Sequence, residues 1–264
     1  MPTTIRSGRN ELLAACGIAV MAKASVPGQS KTRLVPPLTP EEAALCNTAF
    51  LLDIAESILA VGSGASIAGY LAFGPPAAKP FFEATLPGDI RLIDAWYSNF
   101  GDCLFHTIAR LLDLGHGSAV VVNCDSPTLP RAFLSETAGV LAEPGDRIVL
   151  GPASDGGYYL LGLKAKHYRL FEDIAWSTDQ VARQTLHRAV DLDIPVHLLP
   201  QWYDVDDVAG LRVLHRELFN GQSFSPDIRS NHPRHTRALI QSLMKHSGLA
   251  DRLALEHALT RVAP

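Results

Sequence analysis

Short apolar segments typical of strands alternate with amphipathic segments typical of helices from residue 18 to residue 218. The pattern predicts seven strands, at Ile18–Ala22, Ser66–Phe73, Ile90–Ile93, Ala119–Val122, Arg147–Gly151, Tyr158–Leu163 and Val196–Leu199. Alternation of this kind favours a mostly parallel sheet with helices on both faces and right-handed crossovers. The predicted fold class is therefore α/β, with three layers in the order α/β/α and a Rossmann-like central sheet.

Helix signals fill the intervals between these strands. Thr39 and Pro40, followed by two acids, form a typical helix start, with Thr39 as N-cap and Pro40 as the first helical residue. Glycines at 62 and 64 end this helix. Further helices are predicted over 75–86, 100–114, 131–141, 177–189 and 206–218.

Composition limits the class of protein. Hydrophobic residues make up 47% of the 264 residues, which is ample for one large core. The formal net charge of −4 argues against a general nucleic-acid binder, which would present a basic face. The four cysteines are widely spaced and form no CxxC pair, which is typical of a reducing compartment. We therefore predict a cytoplasmic protein that binds no nucleic acid.

The first residues superficially resemble a signal peptide, because the apolar run Leu12–Ala22 follows Arg6 and Arg9. Glu11 and the Pro-Gly loop after the run argue against this interpretation, and the same residues suit the first strand. No apolar stretch is expected to reach the length that crosses a bilayer.

The composition changes at Asn220, where a Gly- and Ser-containing linker begins. We predict a main domain over 1–220, then a linker and a helical extension over 221–264, with helices at Thr236–His246 and Leu249–Val262. The extension could pack on the main domain, cover an acceptor site or form a homodimer contact.

Residues 120–127, Val-Val-Val-Asn-Cys-Asp-Ser-Pro, join a buried strand to an abrupt polar end. The prolines at 127 and 130 prevent the strand from continuing, so Asp125 lies at its carboxyl end. Ligands of open α/β sheets bind at that end, and a carboxylate there suits a hydrated divalent cation, Mg²⁺ or Mn²⁺. Alternatively, Asp125 caps the helix that opens at Pro130 or closes a turn.

The loop after the first strand carries three cations, Lys23, Lys31 and Arg33, and the glycine Gly28. It is not a Walker P-loop, because serines occupy both glycine positions of that motif, and it lacks the GxGxxG fingerprint. A flexible loop with these cations could neutralise a polyphosphate. A solvated loop is the alternative.

The segment Asp155-Gly156-Gly157-Tyr158 separates two predicted strands. It could be a hairpin turn and nothing more. The two glycines also allow a ligand to approach the backbone closely, and Asp155 could orient or deprotonate an acceptor hydroxyl.

Two further predicted helix starts carry candidate site residues. Asp204 and Asp206 have the alternate spacing that can point two carboxylates the same way, so they could assist a metal, although Asp206 or Asp207 is also a natural N-cap. Trp176 and Ser177 precede another helix, where Trp176 could form the wall of an acceptor pocket or simply pack.

Taken together, these segments resemble a bacterial family of GT-A-type glycosyltransferases, of the arsenosugar-biosynthesis or selenodomain-associated type. The shared motifs are Lys23-x-x-x-Pro-Gly-x-x-Lys-Thr-Arg-Leu34, the Asp125-Ser-Pro strand end, Gly151-Pro-Ala-x-Asp-Gly-Gly-Tyr-Tyr-Leu-Leu-Gly162 and Trp176-Ser-Thr. They span residues 17 to 218 in order. The family is related to molybdenum-cofactor guanylyltransferases. The chain departs from it in placing Cys124 before Asp125, and Asn123 leaves no complete D-x-D motif.

The resemblance implies a nucleotide-diphospho-sugar transferase fold and a role for each motif. Lys23, Lys31 and Arg33, with the Gly28 loop, would hold phosphates, and Asp125 would hold Mg²⁺ or Mn²⁺. The acceptor side would comprise Asp155, Gly156, Gly157, Tyr158, Trp176 and Ser177.

Three hypotheses for the function follow. The first is a metal-dependent glycosyltransferase that moves a sugar from a nucleoside-diphosphate donor to a small acceptor, with Asp155 as the catalytic base of an inverting route. The second is a nucleotidyltransferase that joins a nucleoside triphosphate to a phosphorylated acceptor and releases pyrophosphate. The third is a nucleotide-binding protein without catalysis.

Overall fold

The structure is a computed structural model that describes residues 16–64 and 66–254. Its centre is a sheet in the order β3-β2-β1-β4-β6-β5-β7, in which β6 runs antiparallel to both neighbours and all other pairs are parallel. The strands are β1 Cys16–Lys23, β2 Ile67–Gly74, β3 Arg91–Asp94, β4 Ser118–Asn123, β5 Ile148–Pro152, β6 Tyr158–Leu163 and β7 Val196–Leu198. All seven predicted strands are confirmed, with ends that differ by at most two residues.

Helices cover both faces of the sheet, so the three-layer prediction is confirmed. The helices are α1 Pro40–Gly62, α2 Lys79–Thr85, α3 Phe100–Asp113, α4 Arg131–Ala142, α5 Val181–Asp191, α6 Val208–Phe219 and α7 Arg234–His246. One apolar core lies beneath α1, α4, α6 and α7, and the other beneath α3 and α5. Thr39 caps α1 in a reciprocal capping box with Glu42, as its sequence indicates.

Two predicted helices differ from the observed ones by more than one or two residues at an end. The helix predicted from Ser177 begins at Val181, because Ser177 has a left-handed φ of 64° and the residues up to 180 form turns instead. The helix predicted over 75–86 is a short 3₁₀ turn, Pro76–Ala78, followed by α2.

The helix α1 is long and apolar enough to cross a membrane by length and composition, which the sequence analysis did not expect of any segment. Two thirds of its most apolar window (67%) is buried inside the fold. Residues such as Phe50, Ile54 and Ile58 lie in the core against β1 and β2. We interpret α1 as a core helix of this domain.

The segment after Asn220 packs against α1. Both carboxylate oxygens of Asp53 accept hydrogen bonds from the start of α7, from His235 N at 3.0 Å, Thr236 N at 2.8 Å and Thr236 Oγ1 at 2.6 Å. Arg252 donates to both carboxylate oxygens of Glu42, each at 2.8 Å. The predicted first helix of the extension is confirmed, residues 249–254 are helical, and 255–262 lie outside the described residues. The proposed domain boundary remains a prediction.

Candidate functional site

The site lies at the carboxyl edge of the sheet, where the loops after β4, β5 and β7 meet. Main-chain hydrogen bonds join these loops: Val205 N donates to Asp125 O at 2.9 Å, and Ser154 N donates to Trp202 O at 2.9 Å. Ala153 and Trp202 also form an isolated parallel bridge. Segments far apart in sequence are thereby held side by side, each carrying an acid.

Three of the predicted site carboxylates converge there. Asp155, Asp204 and Asp206 each offer an oxygen within 4.8 Å of the other two. Burial, together with the nearby charges of Asp155 and Asp206, raises the pKa of Asp204 to about 7. The cluster is therefore a place where negative charge accumulates and where a cation would be stabilised.

Lys31 bridges the predicted metal ligands Asp125 and Asp206. Its Nζ lies 2.6 Å from Asp125 Oδ1 and 2.7 Å from Asp206 Oδ1, and its side chain is only 7% exposed. Burial alone would lower the pKa of Lys31, but the two carboxylates outweigh burial and raise it. The ammonium is thus a fixed positive charge beside the acid cluster, in contact with two carboxylates.

The structure decides between the helix-capping roles considered for these acids. The helix α4 has Pro130 as N-cap and no side-chain cap, so Asp125 does not cap it. Asp207 caps α6 by accepting from Gly210 N at 2.9 Å, which leaves Asp204 and Asp206 free of that role. The buried Cys124 thiol donates to Asp125 Oδ1 at 3.0 Å, and burial raises the pKa of this thiol well above its ordinary value.

The phosphate-loop candidates Lys23 and Arg33 have exposed side chains that make no ion pair or hydrogen bond within residues 16–64 and 66–254. Their loop is anchored to α1, because Asn47 Nδ2 donates to Ser25 Oγ at 2.9 Å and to Lys23 O at 3.2 Å. Gly28 is exposed with a φ of 74°. Two solvent-facing cations therefore remain available beside the acid cluster's loops.

The segment containing Asp155 is the turn of the β5–β6 hairpin, as the simpler interpretation supposed. Asp155 Oδ1 accepts from Gly157 N at 2.8 Å, and Asp155 is exposed. Gly156 has a φ of 92°, and a Cβ there would lie 2.2 Å from Asp179 O. Only glycine therefore fits at 156, where the hairpin turn meets the segment before α5.

Aromatic side chains line the same edge on the α3 side. Trp176 packs edge-on against Phe100 with centroids 5.5 Å apart, and a Cβ on Gly101 would lie 2.9 Å from its ring. Trp96 covers Gly74 at the end of β2. Trp96 and Phe100 are 55% and 52% exposed, and neither was predicted as a site residue. The available signal was two large aromatic residues close together after β3, Trp96 in the loop and Phe100 at the start of α3.

Three buried polar atoms near this edge have no hydrogen-bond partner among the described residues: Asn123 Oδ1, Ser126 Oγ and Tyr158 Oη. Asn123 ends β4 and Tyr158 begins β6, which pairs with it. Burial raises the pKa of Tyr158, so its hydroxyl is neutral. Atoms of this kind favour a polar ligand, because leaving them unpaired is unfavourable.

Thr128 fixes the loop that carries Asp204, and sequence inspection missed it. The buried Thr128 Oγ1 accepts from Trp202 Nε1 at 3.2 Å and donates to Tyr203 Oη at 2.9 Å. Tyr203 in turn donates to Glu217 Oε2 at 2.5 Å. The two aromatic residues directly before Asp204 are thus tied to the loop after β4.

The residues present fit a hard divalent cation. Carboxylate oxygens are the ligands that Mg²⁺ and Mn²⁺ prefer, and the mutual repulsion that raises the pKa of Asp204 is what such a cation would relieve. A second acidic cluster, Asp53, Glu56 and His235, is explained by the packing of α7 on α1.

Comparison with known proteins places the fold. A protein of Desulfovibrio desulfuricans G20, described as a "putative nucleotide-diphospho-sugar transferase", is 25% identical, with a TM-score of 0.75 over 90% of this chain and 97% of that chain. A CMP:2-keto-3-deoxy-manno-octonic acid synthetase complexed with CTP is 12% identical, with a TM-score of 0.50 over 79% of this chain and 100% of that chain. The second likeness concerns the fold alone. The class is therefore an α/β protein with the fold of nucleotide-diphospho-sugar transferases.

The sequence also matches a family model. Residues 58–178 match the family described as "Uncharacterized protein conserved in bacteria (DUF2064)", over somewhat less than half of the chain. No curated protein matches the chain. The arsenosugar or selenodomain assignment remains a prediction.

Proposed function

We propose that this protein is a metal-dependent glycosyltransferase that moves a sugar from a nucleoside-diphosphate donor to a small acceptor. The observation that carries the proposal is the convergence of Asp155, Asp204 and Asp206, with oxygens within 4.8 Å of one another, beside the Lys31–Asp125 pair. The likeness to the Desulfovibrio protein supports it, since that protein is described as a transferase of nucleotide-diphospho-sugars.

In this proposal, the donor diphosphate lies between the acid cluster and the phosphate loop. A bound Mg²⁺ or Mn²⁺ would stabilise the charge of the leaving diphosphate. Lys23 and Arg33 have no competing partner in the described chain, so their charges are available to the phosphate oxygens. Lys31 holds Asp125 and Asp206 in place for that cation.

Asp155 acts as the base of an inverting reaction, while Asp204 and Asp206 would hold the cation. The acceptor oxygen forms a bond to the anomeric carbon, the bond from that carbon to the diphosphate breaks, and the acceptor proton passes to Asp155. Gly157 N already donates to Oδ1 of this carboxylate, which leaves Oδ2 to take the proton. The acceptor lies against Trp176, near the unpaired Asn123 Oδ1 and Tyr158 Oη.

The first test is ligand-dependent thermal unfolding. UDP, GDP and CDP are each added with Mn²⁺ or with EDTA, and we expect one diphosphate to raise Tm only when metal is present. A ligand at about 100 times its Kd stabilises by about 2.7 kcal/mol, which gives a clear shift. We expect Asp206→Asn to abolish the metal-dependent rise in Tm. Asp227 is an exposed acid in the linker, so Asp227→Asn should leave that rise unchanged. Equal responses of the two variants would contradict the proposal.

A second candidate function is nucleotidyl transfer from a triphosphate. The exposed cations Lys23 and Arg33, which have no partner among the described residues, favour it, because a triphosphate brings more negative charge than a diphosphate sugar. The released product separates the two reactions. Pyrophosphate from a nucleoside triphosphate supports nucleotidyl transfer, and a nucleoside diphosphate from a sugar nucleotide supports glycosyl transfer.

A further inference from the structure

A cavity of about 490 Å³ opens between α3 and β3. The strand β3 is the outermost strand on one side of the sheet, and the acid cluster lies beyond β1 toward the other side. Its volume is in the range of small-ligand pockets. The cavity is lined by Tyr70, Arg91, Leu92, Ile93, Asp94, Tyr97, His106, Arg110 and Leu114. None of these residues has a role in the function proposed above.

The cavity is positively charged. Arg91 comes from β3 and Arg110 from α3, so two guanidinium groups face one cavity that holds a single carboxylate, Asp94. Asp94 Oδ1 already accepts from Trp96 N at 3.2 Å. Within the described ranges, Arg110 makes no side-chain hydrogen bond or ion pair. Its five donors are available to an oxyanion.

Buried polar groups hold Arg91 in position. Arg91 Nη1 donates to Tyr70 Oη at 3.0 Å, and its guanidinium lies 5.4 Å from the centroid of the same ring. Tyr70 is 2% exposed, and its hydroxyl lies 2.8 Å from Nε2 of His116, which is 4% exposed. These contacts restrict the conformations of the Arg91 side chain before a ligand arrives. Arg91 therefore loses less conformational entropy on binding than a freely moving surface arginine would.

The remaining walls suit a ring or carbon body. Tyr97 stacks on His106 with centroids 4.2 Å apart and an interplanar angle of 16°, and this pair forms one side of the cavity. Leu114 supplies apolar surface. The lining therefore combines two oxyanion binders with an aromatic and aliphatic wall.

We propose that this cavity is a second ligand site, which binds a small molecule carrying a carboxylate or phosphate group on an apolar body. The strand order puts β3 three strands from β4, which is about 14 Å at the usual spacing. The site is thus distinct from the acid cluster and does not depend on the function proposed for that cluster.

Methyl NMR of the full chain tests the proposal, with phenyl phosphate and benzoate as separate probes. Ile93 and Leu114 report on the cavity, and Val205 reports on the acid cluster. We expect at least one probe to shift the cavity methyls in a saturable way. Which probe binds more tightly tells a phosphate ligand from a carboxylate ligand.

Two variants complete the test. Arg110→Gln should weaken the binding of that probe at least tenfold, whereas Arg131→Gln, an exposed arginine at the start of α4, should leave it unchanged. Because Arg110 has no partner in the described chain, its replacement should not alter the fold, and unchanged spectra without probe verify this. Perturbation of Val205 alone, no saturable shift with either probe, or equal affinity in the two variants overturns the proposal.

Discussion

The ammonium of Lys31 lies 2.6 Å from the carboxylate of Asp125, although one residue follows the first strand and the other follows the fourth. The strands β1 and β4 are neighbours in the sheet, so the loops that follow them meet at its carboxyl edge. The pair is largely buried on the lysine side, where the side chain is 7% exposed. Removing one partner of such a pair leaves the charge of the other without compensation, which lowers the free energy of unfolding.

Lys31→Met should strongly destabilise the metal-free protein. The change leaves Asp125 and Asp206 without their shared cation, and because these two carboxylates are 26% and 42% exposed, we expect a cost of about 1–3 kcal/mol. Lys79→Met is the matched control, because Lys79 pairs with Glu83 on the surface. This substitution should change the free energy of unfolding by less than about 1 kcal/mol. Urea unfolding in EDTA measures both. A loss for Lys31→Met as small as that of the control would contradict the inferred role.

The pKa of Asp204 predicts a pH dependence of stability. Burial and the neighbouring acids raise this pKa from 3.8 to about 7, so between those values the folded state holds a proton that the unfolded state has lost. The contribution of Asp204 to the free energy of unfolding therefore falls as pH rises from about 4 to about 7.

Asp204→Asn isolates this contribution. In EDTA at pH 8 the variant should be more stable than the parent, by on the order of 1–2 kcal/mol after solvent screening, and near pH 4 the two should be alike. Urea unfolding at both pH values provides the measurement. Lower stability of Asp204→Asn at pH 8 in EDTA would show that the acids do not repel one another as the geometry implies.

Thr128→Val should affect both stability and activity. The change keeps the shape but removes the hydrogen bonds to Trp202 and Tyr203, and leaving buried groups unpaired costs about 1–3 kcal/mol. Thr137→Val is the control, since Thr137 bonds only to the preceding turn of its own helix at Phe133 O. We expect turnover to fall only in Thr128→Val, because its partners precede Asp204. Equal turnover in the two variants would rule out a positioning role.

Gly156→Ala tests the turn next to Asp155. The glycine has a φ of 92°, and an added Cβ would lie 2.2 Å from a main-chain oxygen, so we expect a loss of about 1–3 kcal/mol. Gly139→Ala provides the opposite expectation, since this glycine lies within α4, has no atom within 4 Å of an added Cβ and should gain about 0.5–1 kcal/mol. Thermal unfolding of the two variants gives the comparison. A neutral Gly156→Ala would mean that the turn adapts freely.

The order of strands and helices could be predicted from the sequence because each signal is local. The β-branched run at 120–122 and the capping box at Thr39 need only their near neighbours. The start of α5 at Val181 could not be predicted, because nothing in the sequence indicates that Ser177 adopts a left-handed φ and so keeps the residues before Val181 out of the helix. The antiparallel direction of β6 follows from its hairpin with β5, and the Asp-Gly-Gly turn at 155–157 was the local signal for it, although the sequence analysis left a ligand-binding loop as the alternative.

The site could be predicted only in part, because the sequence shows local signals but not the contacts between distant residues. An acid after a strand is visible in the sequence, so Asp125, Asp155, Asp204 and Asp206 could be proposed as site residues, and the structure brings them to one edge of the sheet. That Lys31 would contact two of these acids depends on strand order, which the sequence does not state. Thr128 was missed because its partners lie more than seventy residues away, at positions 202 and 203.

The main-chain hydrogen bonds that join the loops after β4, β5 and β7 have a consequence for how the chemistry of this fold could diversify. Val205 N to Asp125 O and Ser154 N to Trp202 O form whatever side chains those positions carry. Exchange of a carboxylate for another group would therefore alter the ligand preference while the scaffold around it persists. Descendants of one ancestral chain could acquire different substrates through single substitutions, with the arrangement of the loops inherited unchanged.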